Sequence, residues 1–133
     1  MQNKNFVLDT NIWISAFITN SEKSLLNYIE ENKLQIYICP EMIIEIEDVL
    51  SRKKFKKYLI HSINEYVNLL NDSCENIQII KRYKETPDKD DNYLYDICIE
   101  TKSKLVTGDK LLLSYISNPP ITTISRFDFL SLF

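Results

Sequence analysis

Glycine is nearly absent from these 133 residues. There is one, Gly108, where average usage of about 7% predicts roughly nine. Phosphate-cradling loops of the GxGxxG or GxxxxGK type need at least two and are excluded. Histidine is equally scarce. The single His61 has no G-x-S-x-G elbow or oxyanion loop around it, which excludes a Ser-His-Asp arrangement. Three cysteines, Cys39, Cys74 and Cys98, never fall into a CxxC spacing, so a zinc site of clustered His and Cys lacks ligands. Their odd number argues against a disulfide framework and for a reducing interior. No apolar run approaches the roughly 18 residues that span a bilayer. Met1 to Asp9 has no signal-peptide h-region. These absences predict a cytoplasmic protein with no membrane partner.

What remains is an ordinary globular composition, 44% hydrophobic and 26% charged, too apolar for a disordered chain. No repeat and no Pro/Gly/Ser-rich linker divides it, so residues 1–133 are expected to form a single domain. Carboxylates outnumber basic groups, 19 to 16, for a net charge of −3. That balance gives no overall attraction to nucleic acid, although it permits a local basic patch. Chemistry in such a chain is expected to use acids, and through them a hard cation that prefers oxygen ligands.

Apolar patterning predicts alternating strands and helices. Phe6-Val7-Leu8 reads as a buried strand that stops at Asp9. Helices are predicted over 12–18 and 21–32, a strand over 35–39, and a helix over 40–51 opened by Pro40. A long helix is predicted over 54–72, with Tyr58, Leu59, Ile63, Tyr66, Leu69 and Leu70 facing the core. Ile77 to Ile80 reads as a strand and 91–102 as a helix. Leu105-Val106-Thr107 reads as a strand broken by Gly108, and 110–116 as a short helix ended by Pro119-Pro120. A last strand, 122–124, and a terminal helix, 127–132, follow. This alternation implies βαβ crossovers and a mainly parallel sheet covered on both faces. Ligands of such sheets lie beyond the carboxyl ends of the strands.

Two predicted strands run into an acid, Asp9 and, after Gly108, Asp109. A third cluster, Asp88-Lys89-Asp90-Asp91, precedes the helix that carries Leu94, Ile97 and Cys98. Asp91 falls on that helix's inward stripe. Each acid alone has an ordinary role as a turn former or helix cap. Together at one edge they would repel one another unless a cation neutralised them. Glu45 and Glu47 border opposite edges of the apolar face of their helix, and periodicity does not choose between them.

These segments resemble PIN-domain nucleases, in particular the toxin branch of toxin–antitoxin modules related to VapC-like toxins. The resemblance is carried by Val7-Leu8-Asp9-Thr10-Asn11 with Ser15-Ala16-Phe17, and by Cys39 to Arg52 with the family's acid at Glu45. It continues in Pro87 to Asn92 with the acid at Asp91, and in Leu105 to Leu112 with the acid at Asp109. Ile124 to Leu130 resembles the closing strand and helix, while 119–126 matches loosely. The resemblance covers nearly the whole chain. It implies a three-layer α/β/α sandwich around a short, mainly parallel sheet, and Mg²⁺- or Mn²⁺-dependent cleavage of RNA.

By position, the resemblance makes Asp9, Glu45, Asp91 and Asp109 an acidic quartet. Asp9, Asp91 and Asp109 would ligate one or two ions, and Glu45 would act through a water or orient the nucleophile. Asp90 and Asp88 remain alternatives for the third ligand. Asn11 would orient a ligand carboxylate, and Thr107 would donate to Asp109. Gly108 would supply a permissive backbone that turns Asp109 toward the site. The basic stretch Arg52-Lys53-Lys54-Phe55-Lys56-Lys57 would guide the strand, with Phe55 or Tyr58 stacking on bases, and Lys110 would contact the phosphate. His61 is expected at the surface or in packing, and Trp13 in the core. A toxin implies an antitoxin partner, and homodimers occur in the resembled family.

Two rivals remain. Haloacid-dehalogenase-like phosphatases also place an Asp after the first strand, but need a second acid where Asn11 stands. A catalytically inactive PIN-like module would bind RNA or a protein without a metal site, and thermal stabilisation by Mn²⁺ separates it from an enzyme.

Overall fold

The computed structural model describes residues 3–80, 83–84, 86–117 and 120–133. Five strands form one sheet in the order β3-β2-β1-β4-β5, and every neighbouring pair is parallel. They are β1 (Asn5–Leu8), β2 (Gln35–Ile38), β3 (Glu75–Asn76), β4 (Lys104–Val106) and β5 (Thr123–Ile124). Phe6, Val7 and Leu8 are fully buried, as a central strand covered on both faces requires. Each such side chain contributes about 1.5–3 kcal/mol of burial.

The helices are α1 (Thr10–Ile18), α2 (Glu22–Glu31), α3 (Pro40–Leu50), α4 (Lys53–Lys56), α5 (Ile63–Ser73), α6 (Asn92–Thr101), α7 (Lys110–Ser114) and α8 (Arg126–Leu130). A 3₁₀ turn, Lys89–Asp91, leads into α6. From β1 the chain steps through α1 and α2 to β2, then through α3 to α5 to β3 at one edge. It then crosses back through α6 to β4 on the other side of β1. Right-handed crossovers in opposite directions put the two helix sets on opposite faces, giving three layers. The strand order reverses between β1 and β4, which makes the carboxyl ends of these two strands the crevice of the fold. Leu8 pairs with Val106 there.

Two sequence expectations fail for local reasons. The long helix predicted over 54–72 is two helices, because Ser62 opens a new one. Its hydroxyl accepts from Glu65 N, and the Glu65 carboxylate accepts from Ser62 N, each at 3.2 Å. This is the S-x-x-E capping box. Tyr58 is consequently exposed rather than in the core, with Lys57 over its ring. The strand expected over Ile77–Ile80 pairs two residues earlier, Tyr37 with Glu75 and Ile38 with Asn76. Its neighbour β2 ends at Ile38 and Pro40 begins α3, so residues 78–80 have no ladder to join. Trp13 is buried as expected. Pro119 of the helix-ending pair lies outside the described residues. Among the described residues no helix is long and apolar enough to cross a membrane.

Candidate active site

At the carboxyl end of β1 the chain turns straight into α1, and Asp9 stands at the junction, 4% exposed. Its side chain makes no cap bond to the helix it precedes. Its oxygens are taken up by neighbouring hydroxyls instead. Thr107 Oγ1 donates to Oδ2 at 2.8 Å, and Thr10 Oγ1 lies 3.2 Å from Oδ1. Burial raises the Asp9 pKa above its ordinary value; the two threonine hydroxyls oppose that rise and the Glu45 charge adds to it.

Glu45 reaches the same place from α3, whose stripe Met42, Ile46, Leu50 is fully buried. The packing of α3 against α1 places Glu45 Oε1 2.9 Å from Thr10 Oγ1. Tyr93 Oη, from α6, donates to Oε2 at 2.7 Å. Both oxygens of Glu45 are therefore positioned, one from each side of the sheet. This distinguishes Glu45 from Glu47, which periodicity did not. Thr10 sits between Asp9 and Glu45 and ties the two carboxylates to one hydroxyl. Burial, then the charge and hydrogen bond of Glu45, raise the Tyr93 phenol above its ordinary pKa, so it stays a donor.

The three acids ahead of α6 are not equivalent. Asp88 is exposed and accepts from Asp90 N at 3.0 Å, forming the turn. Asp90 is exposed. Asp91 is half-buried, makes no cap bond, and has its pKa pushed up to about 7 by burial and by the charges of Asp9, Asp88, Asp109 and Glu45. Asp91 is thus the member of the cluster that faces the other acids. Asp109 follows β4 and uses Oδ1 to cap α7 at Leu111 N, 2.9 Å. Its own amide donates to Thr107 Oγ1 at 3.0 Å.

Thr107 therefore differs from expectation. Its hydroxyl donates to Asp9, not to Asp109, and accepts from the Asp109 backbone. One side chain locks the ends of β1 and β4 together. Gly108 differs as well. It has no positive φ, and a Cβ built on it meets nothing within 4 Å; the Thr107 hydroxyl, not a special glycine conformation, holds this turn. Asn11 is exposed on α1, and among the described residues its side chain bonds no carboxylate.

The basic stretch is not brought to these acids. Helix α3 starts at the carboxyl edge and runs away from it, which puts Arg52 about 10 Å farther along the axis than Glu45. Arg52 pairs with Asp48 at 3.2 Å, Lys54 lies over Phe55 and Lys57 over Tyr58. Lys53 and Lys56 are exposed. Lys110 alone of the predicted basic residues adjoins the acids, exposed at the start of α7. His61 is exposed and 3.3 Å from Glu65.

The donor set suits a hard divalent cation: carboxylates crowd one another, and among the described residues no Lys or Arg forms an ion pair with any of the four. Among the described residues no group of three or more His, Cys, Asp or Glu side chains stands close enough together to hold a metal ion as they are. Mg²⁺ needs none, since it keeps several waters and takes one or two carboxylates. Thr10 and Tyr93 escaped sequence reasoning. The first adjoins Asp9 and is itself polar at an edge; the second carried no signal beyond a tyrosine two residues after Asp91.

The PIN domain family model matches residues 5–111, a span that includes all four acids. The chain belongs to the PIN-domain family. An uncharacterized protein of Methanocaldococcus jannaschii is 32% identical over 114 residues, covering 81% of this chain and 72% of that one. A chain in the structure of VapBC2 from Rickettsia felis bound to a DNA fragment from their promoter is similar to this PIN domain with a TM-score of 0.66. The identity is 18%, and the match covers 91% of this chain and 98% of that one. The PIN domain of T. brucei RRP44 gives a TM-score of 0.46 at 13% identity, over 98% and 80% of the respective chains. Membership of the PIN-domain family displaces the haloacid-dehalogenase alternative, which also lacked its second acid at Asn11.

Proposed function

We propose that this PIN domain is a Mg²⁺- or Mn²⁺-dependent ribonuclease that hydrolyses RNA phosphodiester bonds, and that it is the toxin of a type II toxin–antitoxin module. The enzymatic part is supported by Asp9 and Glu45, tied through the Thr10 hydroxyl at the β1–β4 crevice, and by Asp91, which burial and then the charges of Asp9, Asp88, Asp109 and Glu45 push up to about 7. The toxin part is supported by the fold likeness to a chain of the VapBC2 structure.

Asp9, Asp91 and Asp109 would ligate one or two ions, each ion taking one or two of these carboxylates and keeping its other waters. When bound, a divalent cation lowers the pKa of a water and stabilises charge on the phosphate. Glu45, with both oxygens already engaged by Thr10 and Tyr93, orients the attacking water. Thr107 keeps Asp9 in place and, through the Asp109 amide, fixes the spacing of the two strand ends. Lys110 at the rim meets the phosphate, and Arg52 to Lys57 attract more distant parts of the RNA. Cys39, Cys74 and Cys98 form no disulfide with one another, which suits a reducing cytoplasm. The partners under this proposal are the RNA, an antitoxin protein and a second copy of the chain.

The test compares purified wild type and Asp9→Asn on single-stranded RNA with Mg²⁺, Mn²⁺ or a chelator. Cleavage that needs the ion and disappears in Asp9→Asn supports the enzyme. Equal degradation by both proteins overturns the site. For the toxin role, the product of a small adjacent reading frame should co-purify with the chain and inhibit its cleavage; an active enzyme with no such inhibitor would refute that part.

A further inference from the structure

The amino edge of the sheet, opposite the acids, holds a cavity of about 330 Å³ between the end of α6 and the starts of β4 and β5. Its size falls in the range of small-ligand sites. Lys104 stands about 10 Å along β4 from Thr107, so this place is separate from the crevice that holds Asp9. None of the residues that line it is Asp or Glu, and Lys102 and Lys104 bring two ammonium groups. Among the described residues neither lysine forms an ion pair. Glu100, the acid nearest to them in the chain, is exposed and lies outside the lining.

The carboxyl end of a helix is ordinarily a poor place for an anion, because its last carbonyls carry partial negative charge. At the end of α6 several of those carbonyls are taken up by donors. Asn5 Nδ2 donates to Thr101 O at 3.0 Å, Asn3 Nδ2 to Lys102 O at 2.9 Å, and Ser103 N to Cys98 O at 3.0 Å. Thr101 Oγ1 donates to Ile97 O at 2.7 Å, and so accepts from Ser103 Oγ at 2.5 Å. The donors left at the cavity are the two ammonium groups, the second Nδ2 hydrogen of Asn3 and the Thr122 hydroxyl. Apolar surface lies beside them, from Ile99, 38% exposed, and from Pro120 and Ile121.

Two cations, two neutral donors and an apolar wall in a hollow of this size suit an organic phosphate. Lysine holds phosphate as a point charge. The apolar wall gives the rest of the ligand a surface on which to leave water. A base offers a flat face to Ile99 and Ile121 and ring acceptors to Asn3 and Thr122, whereas a sugar phosphate offers only hydroxyls. We propose that this cavity binds a nucleotide, with its phosphate between Lys102 and Lys104 and its base against Ile99 and Ile121. The nucleotide is either free or one unit of an RNA strand, since both present the same chemistry. The site does not rest on the ribonuclease reading; the same binding is expected of a chain that never cuts RNA.

Binding is measured on the wild-type chain with a chelator present, so that no divalent ion carries phosphate to the acids. At least one of AMP, CMP, GMP and UMP should shift the amide resonances of Ser103 and Thr122 saturably and leave those of Leu8 and Leu111, at the other edge, in place. No shift at millimolar concentration, or equal shifts from the nucleoside without its phosphate, overturns the proposal. Inorganic phosphate should bind more weakly than the best nucleotide; equal affinity refutes the part given to the apolar wall. Lys102→Gly tests the charge without straining the fold, because Lys102 has φ 56° at the C-cap of α6, where glycine is the usual residue. That variant and Lys104→Gln should each raise Kd about 3- to 10-fold. Lys33→Gly is the control, with the same left-handed backbone, φ 54°, and the same loss of charge outside the cavity. A Kd raised as much by Lys33→Gly means that net charge draws the ligand and refutes the site. A final comparison identifies the source. Tighter binding of the mononucleotide than of an oligoribonucleotide of the same base assigns the cavity to a free nucleotide, and the reverse assigns it to a strand of RNA.

Discussion

The inner and outer acids of this site are held in different ways. Asp9 and Glu45 are tied by side-chain hydroxyls: Thr10 between them, Thr107 behind Asp9 and Tyr93 behind Glu45. Helices α1, α3 and α6 and the ends of β1 and β4 meet in that network, so these two carboxylates are positioned before any cation arrives. Asp91 and Asp109 are held by their local turns, and Asp91 is repelled by every other acid of the group. The inner pair is organised by hydrogen bonds between distant elements; of the outer pair, Asp109 accepts from Leu111 N in its own turn and Asp91 alone is pressed by its neighbours' charges. A cation would therefore change the outer pair more than the inner.

The largest expected effect is at the buried end. Under the proposed function Asp9→Asn should lower cleavage by about 10³-fold, since it would remove a ligand of an ion that supplies several kcal/mol of transition-state stabilisation. The same variant should melt no lower than wild type without metal, because it removes a buried charge whose pKa is already raised. Lost activity with intact melting separates chemistry from folding. Asp90→Asn, at an exposed position, should lower kcat/KM less than Asp91→Asn does; the reverse order would make Asp90 the inward acid.

Tyr93→Phe should come next, at about 10- to 100-fold in activity, the usual cost of removing a group that orients a catalytic carboxylate. If cleavage rates are unchanged, the inner network is structural only.

Acidity tests the outer pair. Asp91 has a folded value of about 7 against an ordinary 3.8, so the folded state binds its proton more tightly than the unfolded chain. The associated stability is present below pH 4 and is lost as pH rises to 7 and beyond. Thermal melts of metal-free protein from pH 5 to 8 should fall more steeply for wild type than for Asp91→Asn, and Mn²⁺ should flatten the difference. Parallel curves would show that Asp91 does not feel its neighbours.

The smallest effect is expected at Gly108→Ala. With no positive φ and an open Cβ direction, alanine should be neutral or stabilise by about 0.4–1 kcal/mol through the unfolded chain. A loss measured by chemical denaturation would restore a conformational role for the glycine.

Much of this protein was legible in one dimension. Apolar runs that stop at Asp9 and Asp109, Pro40 at a helix start, and strands alternating with helices define the parallel sheet and the edge where acids collect, because these features depend on local periodicity and chain direction. Ser62 and Glu65 could have been read in the same way, as a capping box, and the long helix would then have been divided correctly. Other features belong to the packing. Nothing in the spacing of Glu45 and Glu47 decides which one reaches Asp9; the crossing of α3 over α1 does. The inward stripe of its helix pointed to Asp91, but the turn that consumes Asp88 and buries half of Asp91 is what sets it apart from Asp88 and Asp90. Tyr93 acts on a residue 48 positions away, and Thr107 on one 98 positions away. The sequence by itself determined which residue types gather at the edge of the sheet. Only the tertiary structure decided which of them are hydrogen-bonded, buried and aimed at one another, because those properties come from elements far apart in the chain meeting at the β1–β4 crevice.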